Sequence, residues 1–193
     1  MGIKIVAFNT SPRQDGNTAI LIKEIFKELA AAKIKTELIQ LAGQQLQGCI
    51  ACGKCAVNKN NQCALKGDPL NAYLAKMIQA DGIIIGSPTY FADCTANAKA
   101  LLERAGMVSR ANNNLLKRKV GAAVVAVRRG GAIHTFDSIN HFFTISEMII
   151  VGSVYWNLGI GRLIGEVNHD PEGLETMQAL GRNMAWLLKK IAG

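Results

Sequence analysis

Ile3-Lys4-Ile5-Val6-Ala7-Phe8 runs without interruption into Asn9-Thr10-Ser11-Pro12-Arg13-Gln14-Asp15-Gly16-Asn17-Thr18, and this stretch decides the fold class. The first six residues are apolar or β-branched and read as a buried strand. Residues 17–32 place Ile20, Leu21, Ile25, Phe26 and Leu29 at helical spacing. A strand, a tight polar loop and a helix in that order form the opening of a βαβ unit. The same alternation continues outward. Strands are expected at 36–41, 82–86, 119–127 and 148–156, and helices at 95–108, 133–147 and 171–191. A further helix opens at Asp68-Pro69, with Asp68 as its cap and Pro69 in its first turn. Five strands alternating with five helices predict a parallel sheet covered on both faces. Residues 43–67 read as irregular.

The chain has 193 residues, 49% of them apolar and 19% charged. That composition suits one domain of ordinary size, residues 1–193, and excludes a disordered or disulfide-stapled chain. No apolar run reaches the roughly 18 residues of a membrane helix. The N-terminus lacks the features of a signal peptide and of a myristoylation site, so a cytoplasmic location is expected. The 22 Lys and Arg exceed the 14 Asp and Glu, giving a net charge of +8. Such a surplus attracts anions. The basic residues are scattered, with small clusters at Lys117-Arg118-Lys119 and Arg128-Arg129, and they lack the arginine–aromatic interleaving of a single-strand binder. Lys117 to Lys119 read as solvated surface, and neither nucleic acid nor membrane is expected as a partner. A phosphate-bearing small molecule suits the charge better.

In open parallel sheets, ligands sit beyond the carboxyl ends of the strands. The loop after the first strand carries Ser11, Arg13, Gly16, Asn17 and Thr18 directly ahead of a helix N-terminus, whose amides and dipole attract phosphate. It holds a single Gly and no Gly-Lys-Ser/Thr, so it is neither a dinucleotide fingerprint nor a Walker loop. Donors closing on one point suit a terminal monophosphate. After the third strand come Gly86-Ser87-Pro88-Thr89-Tyr90-Phe91, in which an aromatic ring can flank a planar ligand. Arg128-Arg129-Gly130-Gly131 follow the fourth strand, where two glycines let the backbone approach a ligand edge. Thr95 is expected to cap the next helix, and Arg104 to form an ion pair.

Cys49, Cys52, Cys55 and Cys63 have the spacing C-x2-C-x2-C-x7-C. In a cytosolic chain this argues for metal or cluster binding rather than disulfides. Three thiolates at two-residue gaps can wrap three corners of a cubane, and a fourth closes it. A [4Fe–4S] cluster, zinc and no metal at all are the alternatives. Cys94 reads as a small buried residue, and His134, His141 and His169 as structural or surface. G-x-S-x-G and H-E-x-x-H are absent, so hydrolase chemistry has no support.

Taken together, residues 11–18, 86–91 and 128–131 resemble the NADPH-dependent FMN reductase family, and within it the iron-sulfur flavoproteins. The resemblance spans about residues 3–155. It implies an α/β flavodoxin-like, doubly wound five-stranded sheet of order 2-1-3-4-5, with residues 43–67 as a cysteine-rich insertion. It further implies FMN, with its phosphate in the first loop and its ring between the second and third, and a [4Fe–4S] cluster on the four cysteines. NAD(P)H is the implied electron donor. Quinone, free flavin, oxygen or a ferredoxin-like protein is the implied acceptor, and the assembly is a homodimer or homotetramer. Two other readings are an electron carrier without NAD(P)H turnover and a zinc-stabilised nucleotide-binding protein.

Overall fold

The computed structural model describes residues 2–192. Six strands form one parallel sheet: β1 (Lys4–Asn9), β2 (Lys35–Gln40), β3 (Gly82–Pro88), β4 (Val120–Val127), β5 (Ile149–Ile150) and β6 (Leu158–Ile160). Their order is β2-β1-β3-β4-β5, with β6 also on β4. Every pairing is parallel, as in Ala7 opposite Ile84 and Ile84 opposite Ala122. The helices are α1 (Asn17–Ala31), α2 (Lys54–Asn58), α3 (Leu70–Gln79), α4 (Ala96–Ala111), α5 (Ala132–Ile145) and α6 (Pro171–Ala192). The expected doubly wound topology is therefore present. Among the described residues, no helix is long and apolar enough to cross a membrane.

The period of two along each strand sorts the core into two layers. Ile5, Ala7, Ile84 and Val124 pack on Ile22, Ile25, Met177, Leu180 and Met184 of α1 and α6. Val6, Phe8, Ile83 and Ile85 pack on Leu74, Met77, Leu101, Val108 and Phe143 of α3, α4 and α5. Burying a side chain of this size contributes about 1.5–3 kcal/mol. Gly86 sits where β3 passes beneath the first turns of α1. A Cβ there would lie 2.6 Å from Ile22 Cδ1 and 2.9 Å from Thr18 Cγ2, so glycine sets how closely the helix approaches the sheet.

Three expectations need correction. The fifth strand is not continuous over 148–156. It splits into β5, beside Val120 and Gly121, and β6, beside Val125 to Val127. Between them the Ser153 hydroxyl lies 2.5 Å from the Tyr155 carbonyl and 2.6 Å from Asn157 Oδ1, closing a local turn that competes with the ladder. Among the described residues there are six α-helices rather than five, because α2 forms inside the cysteine segment behind Gly53, at φ 67°. Lys119 is not solvated surface either. Its Nζ donates to the Ile78 and Ala80 carbonyls at the end of α3, and burial lowers its pKa.

Segment 43–67 is pinned to the body by a buried ion pair. Arg104, 1% exposed, meets Asp68. Asp68 also accepts the backbone N–H groups of Gln47 at 3.1 Å and Leu70 at 3.2 Å, so it ties the segment to the start of α3. Burial raises the Asp68 pKa, but the Arg104 guanidinium and the two N–H groups outweigh it and hold the carboxyl below its ordinary range. Thr95 caps α4 as expected, accepting from the Ala98 N–H.

Two outcomes follow from this packing. Gly86→Ala is expected to lower stability by about 1–3 kcal/mol in urea unfolding, because the added methyl has no free space. Asp68→Asn is expected to cost about 3–5 kcal/mol at neutral pH, since it strands a buried guanidinium. The folded pKa of Asp68 lies below its unfolded value. Its stabilisation is therefore complete above about pH 4 and lost as the pH falls through the folded value. Unfolding titrations of both proteins from pH 7 to pH 2.5 should show the gap between them narrowing below about pH 4.

Candidate functional site

At the carboxyl end of β1, buried Asn9 organises the loop that follows. Its side-chain oxygen accepts the Ser11 N–H at 3.1 Å, and its amide group donates to Gln40 Oε1 at 2.6 Å. Ser11 Oγ accepts the Arg13 N–H, and Gly16 N–H closes the turn onto the Arg13 carbonyl. Across the strands, Thr10 donates to the Gly86 carbonyl, and Thr95 Oγ1 donates to the Thr10 carbonyl. Three loops are thereby held in one frame.

The N-terminus of α1 has Gly16 at its cap position and no side-chain cap. Gly16 has no side chain to supply one, and the buried Asn17 carboxamide turns to the loop at 163–165. It donates to the Leu163 carbonyl and accepts the Gly165 N–H, both at 2.9 Å. The first-turn amides consequently remain free to donate to a ligand. A cleft of about 240 Å³ opens at this helix end. From the first loop it is lined by Ser11, Arg13, Gly16, Asn17 and Thr18, from the second by Pro88, Thr89 and Tyr90, and from the third by Arg128.

The remaining anticipated residues lie elsewhere. Ser87 is buried behind the wall, where its Oγ accepts the Thr95 N–H at 3.1 Å. Phe91 has φ 49° and points into solvent, fully exposed, so it does not flank the cleft. Arg129 and Gly130 are exposed on the loop before α5. Gly131, at φ 88°, occupies the α5 cap position beside Thr89.

Sequence reading missed the fourth wall, Gly161 and Arg162. A Cβ at Gly161 would lie 2.7 Å from the Val167 nitrogen and 2.8 Å from Asn17 Nδ2, so only glycine fits. Arg162 is held by its backbone, because Glu166 Oε2 accepts the N–H groups of Arg162 at 2.7 Å and Leu163 at 2.9 Å. The Leu163 and Arg162 donors lower the Glu166 pKa. The local signal is Gly159-Ile160-Gly161-Arg162, a glycine pair and an arginine at and just past the end of β6. Arg13, Arg128 and Arg162 thus line one cleft, with no carboxylate in its lining. This is an electrostatic setting for an anion.

The four cysteines do come together. Cys49, Cys52, Cys55 and Cys63 line a second cavity of about 110 Å³, walled by Ile50, Leu65, Met107 and Val108, with Arg104 at one side. All four are free thiols. Among the described residues, no three His, Cys, Asp or Glu side chains are arranged around a single-ion position. Cys63 is buried, and its N–H donates to Asn71 Oδ1 at 2.8 Å. Cys49 N–H points at Glu103 Oε2, 3.4 Å away. The cavity rests on the second half of α4, whereas Thr95 at the head of α4 braces the cleft. At 1.5 Å per residue, Arg104 at the cavity lies about 14 Å along α4 from Thr95.

Cys94 stands apart from this group. Burial first, and then the Asp93 carboxylate, pushes its thiol up to about 11, so it stays protonated at neutral pH. The three histidines are exposed.

The chain resembles known proteins in sequence and in fold. An iron-sulfur flavoprotein of Methanocaldococcus jannaschii is 37% identical over 196 residues, covering 98% of this chain and 99% of its own. Among solved structures, RosB with its bound intermediate 8-demethyl-8-formylriboflavin-5'-phosphate superposes with a TM-score of 0.78 at 19% identity, over 99% of this chain and 81% of that one. The NAD(P)H:quinone oxidoreductase of Methanothermobacter marburgensis gives a TM-score of 0.70 at 11% identity, over 95% and 98%. Residues 3–162 match the family described as NADPH-dependent FMN reductase, and the chain belongs to that family.

Proposed function

We propose that the chain is an FMN-dependent oxidoreductase of the iron-sulfur flavoprotein type, taking electrons from NAD(P)H. The observation that carries this reading is the uncapped end of α1, facing a cleft lined by three arginines and no carboxylate. A phosphate monoester fits that donor set. The α1 amides, with Ser11 and Thr18, would hold it, and Arg13 would balance its charge. Thr89, Tyr90 and Arg128 line the same cleft; there Tyr90 and Thr89 would support a flat ring, and Arg128 would favour negative charge on it.

When bound, FMN supplies the redox chemistry, accepting a hydride or single electrons. The chain's own residues bind, orient and screen. The cleft lining holds no His, Asp, Glu or Lys, which suits a reaction that needs little acid–base help from protein. The natural acceptor is a quinone, a free flavin, oxygen or a ferredoxin-like protein.

The second cavity fits an iron–sulfur cluster by its donors: four soft thiols, without imidazole or carboxylate, within an apolar wall. Cys49, Cys52, Cys55 and Cys63 would hold it as thiolates. The assembly we propose is a homo-oligomer. Ile160, Leu163 and Ile164 beside the cleft, and Val154, Tyr155 and Trp156 between β5 and β6, are all exposed. Apolar surface of this kind marks an interaction face.

Fluorescence titration with FMN tests the first element. Arg13→Ala is expected to weaken binding by about 1.5–3 kcal/mol, roughly 10–150-fold, and raised salt should weaken the wild type as well. Unchanged affinity in Arg13→Ala and Thr18→Ala would overturn the phosphate assignment. Anaerobic purification with iron and sulfide analysis tests the second. Flavin bands plus a broad brown absorbance are expected, and zinc without iron would replace the cluster reading. Steady-state turnover with NADH or NADPH separates an enzyme from a carrier, which would show negligible turnover on its own.

A further inference from the structure

We infer that Arg104 is the positioning residue of the metal-holding segment, with its guanidinium clamping both ends of that segment and donating a hydrogen bond to the sulfur of Cys63. This rests on the cluster reading above and goes beyond it, because no cysteine spacing identifies an arginine forty residues away.

The contacts are specific. Arg104 Nε donates to Cys63 Sγ at 3.4 Å. Nη1 donates to the Gln47 carbonyl at 3.1 Å, and Nη2 to the Leu65 carbonyl at 3.3 Å. Gln47 and Leu65 bracket the four cysteines, so one rigid fork joins the chain just before Cys49 to the chain just after Cys63. Asp68 pairs with the same guanidinium and accepts the Gln47 N–H, closing the clamp.

Stability alone is a poor reason for this arrangement. A buried ion pair gains little over well-packed apolar residues of similar volume. The guanidinium does offer what an apolar residue cannot, a fixed cation and an N–H aimed at one sulfur. Among the four cysteines the contact is asymmetric. Cys49 and Cys52 are exposed, whereas Cys63 is buried against Arg104. Hydrogen bonds and positive charge at ligating sulfurs stabilise added negative charge, and so raise the reduction potential of a cluster. Outer contacts of this kind also hold the metal, their loss costing about 10–100-fold in affinity. Lysine cannot replace the function, because it has no planar fork to reach two carbonyls and a sulfur together.

The test uses the full chain reconstituted anaerobically with iron and sulfide, as wild type, Arg104→Lys and Arg104→Gln, with Arg110→Gln on the exposed side of α4 as control. Circular dichroism checks folding. Both Arg104 variants are expected to lose iron to a chelator at least about tenfold faster than wild type. The cluster's midpoint potential should move to more negative values, further in Arg104→Gln than in Arg104→Lys, which keeps the charge. A merely structural role would leave the potential of the folded protein where it was. Wild-type chelation rates and potentials in both folded variants would overturn the inference.

Should neither variant fold, the wild type decides. Spin-echo spectroscopy of the reduced protein, labelled with guanidino-15N arginine, should show nitrogen coupling to the cluster, and its absence would refute the contact. Wild type that takes up no iron and sulfide removes the cluster reading itself, a failure visible before any variant is compared.

Discussion

The uncapped amide end of α1 is the constraint on which the cleft depends. A helix start needs acceptors for its first N–H groups, and here the cap position is Gly16, which has no side chain to provide one. Asn17 spends both ends of its carboxamide on the loop at 163–165. Gly16 therefore leaves the helix end open, and Asn17 fixes the wall that carries Arg162. Gly86 and Gly161 serve the same geometry by close approach. The first lets α1 settle onto β3, and the second lets the 161–167 turn settle onto Asn17. Positive charge then accumulates by position rather than by number. The net charge of +8 is spread over the surface, but three arginines from three separate loops meet at this point.

The cysteine segment obeys a different logic. It has little core of its own: Ile50 and Val57 are exposed, and α2 buries nothing. Its conformation comes from outside. Asp68 and Arg104 seize its ends, Asn71 bonds Cys63 in both directions, and Asn97 accepts the Leu46 N–H. A loop held at its ends and open at its centre can present four thiols to one cavity without a sheet or long helix to support them. Metal binding would then supply the cohesion that apolar burial does not.

Legibility in the sequence followed this division. β1, β3 and β4 were readable because buried parallel strands are continuous apolar runs, and α1 and α6 because their apolar faces recur at 3.6 residues. The strand order entered through family resemblance, since periodicity says nothing about which strands are neighbours. The break in the last strand was missed because Val151 to Trp156 is as apolar as a strand, and the hydroxyl turn at Ser153 gives no periodic signal. That error placed the end of the strand too early and hid Gly161 and Arg162, the fourth wall of the cleft. Phe91 shows the opposite failure. Its residue type suits ring stacking, but a left-handed backbone at Phe91 and Ala92 turns it to solvent. Composition identifies candidates, whereas backbone direction decides which of them face the ligand.

The two sites share α4 and lie at different levels along it. Thr95 at its head braces the cleft, and Arg104 to Val108 in its second half form the floor of the cysteine cavity. Thr95 and Arg104 stand about 14 Å apart along the helix, so the cleft and the cysteine cavity are separate sites on one chain. Both sites nonetheless border exposed apolar residues: Ile160, Leu163 and Ile164 by the cleft, Ile50 and Met107 by the cysteines. The homo-oligomer proposed above resolves that separation economically. A second copy covering these surfaces would exclude water from both sites and could bring one chain's cysteines towards the other's cleft. In the proposed homo-oligomer, the exposed apolar rims and the distance between the sites would share one cause, a surface covered by a second copy.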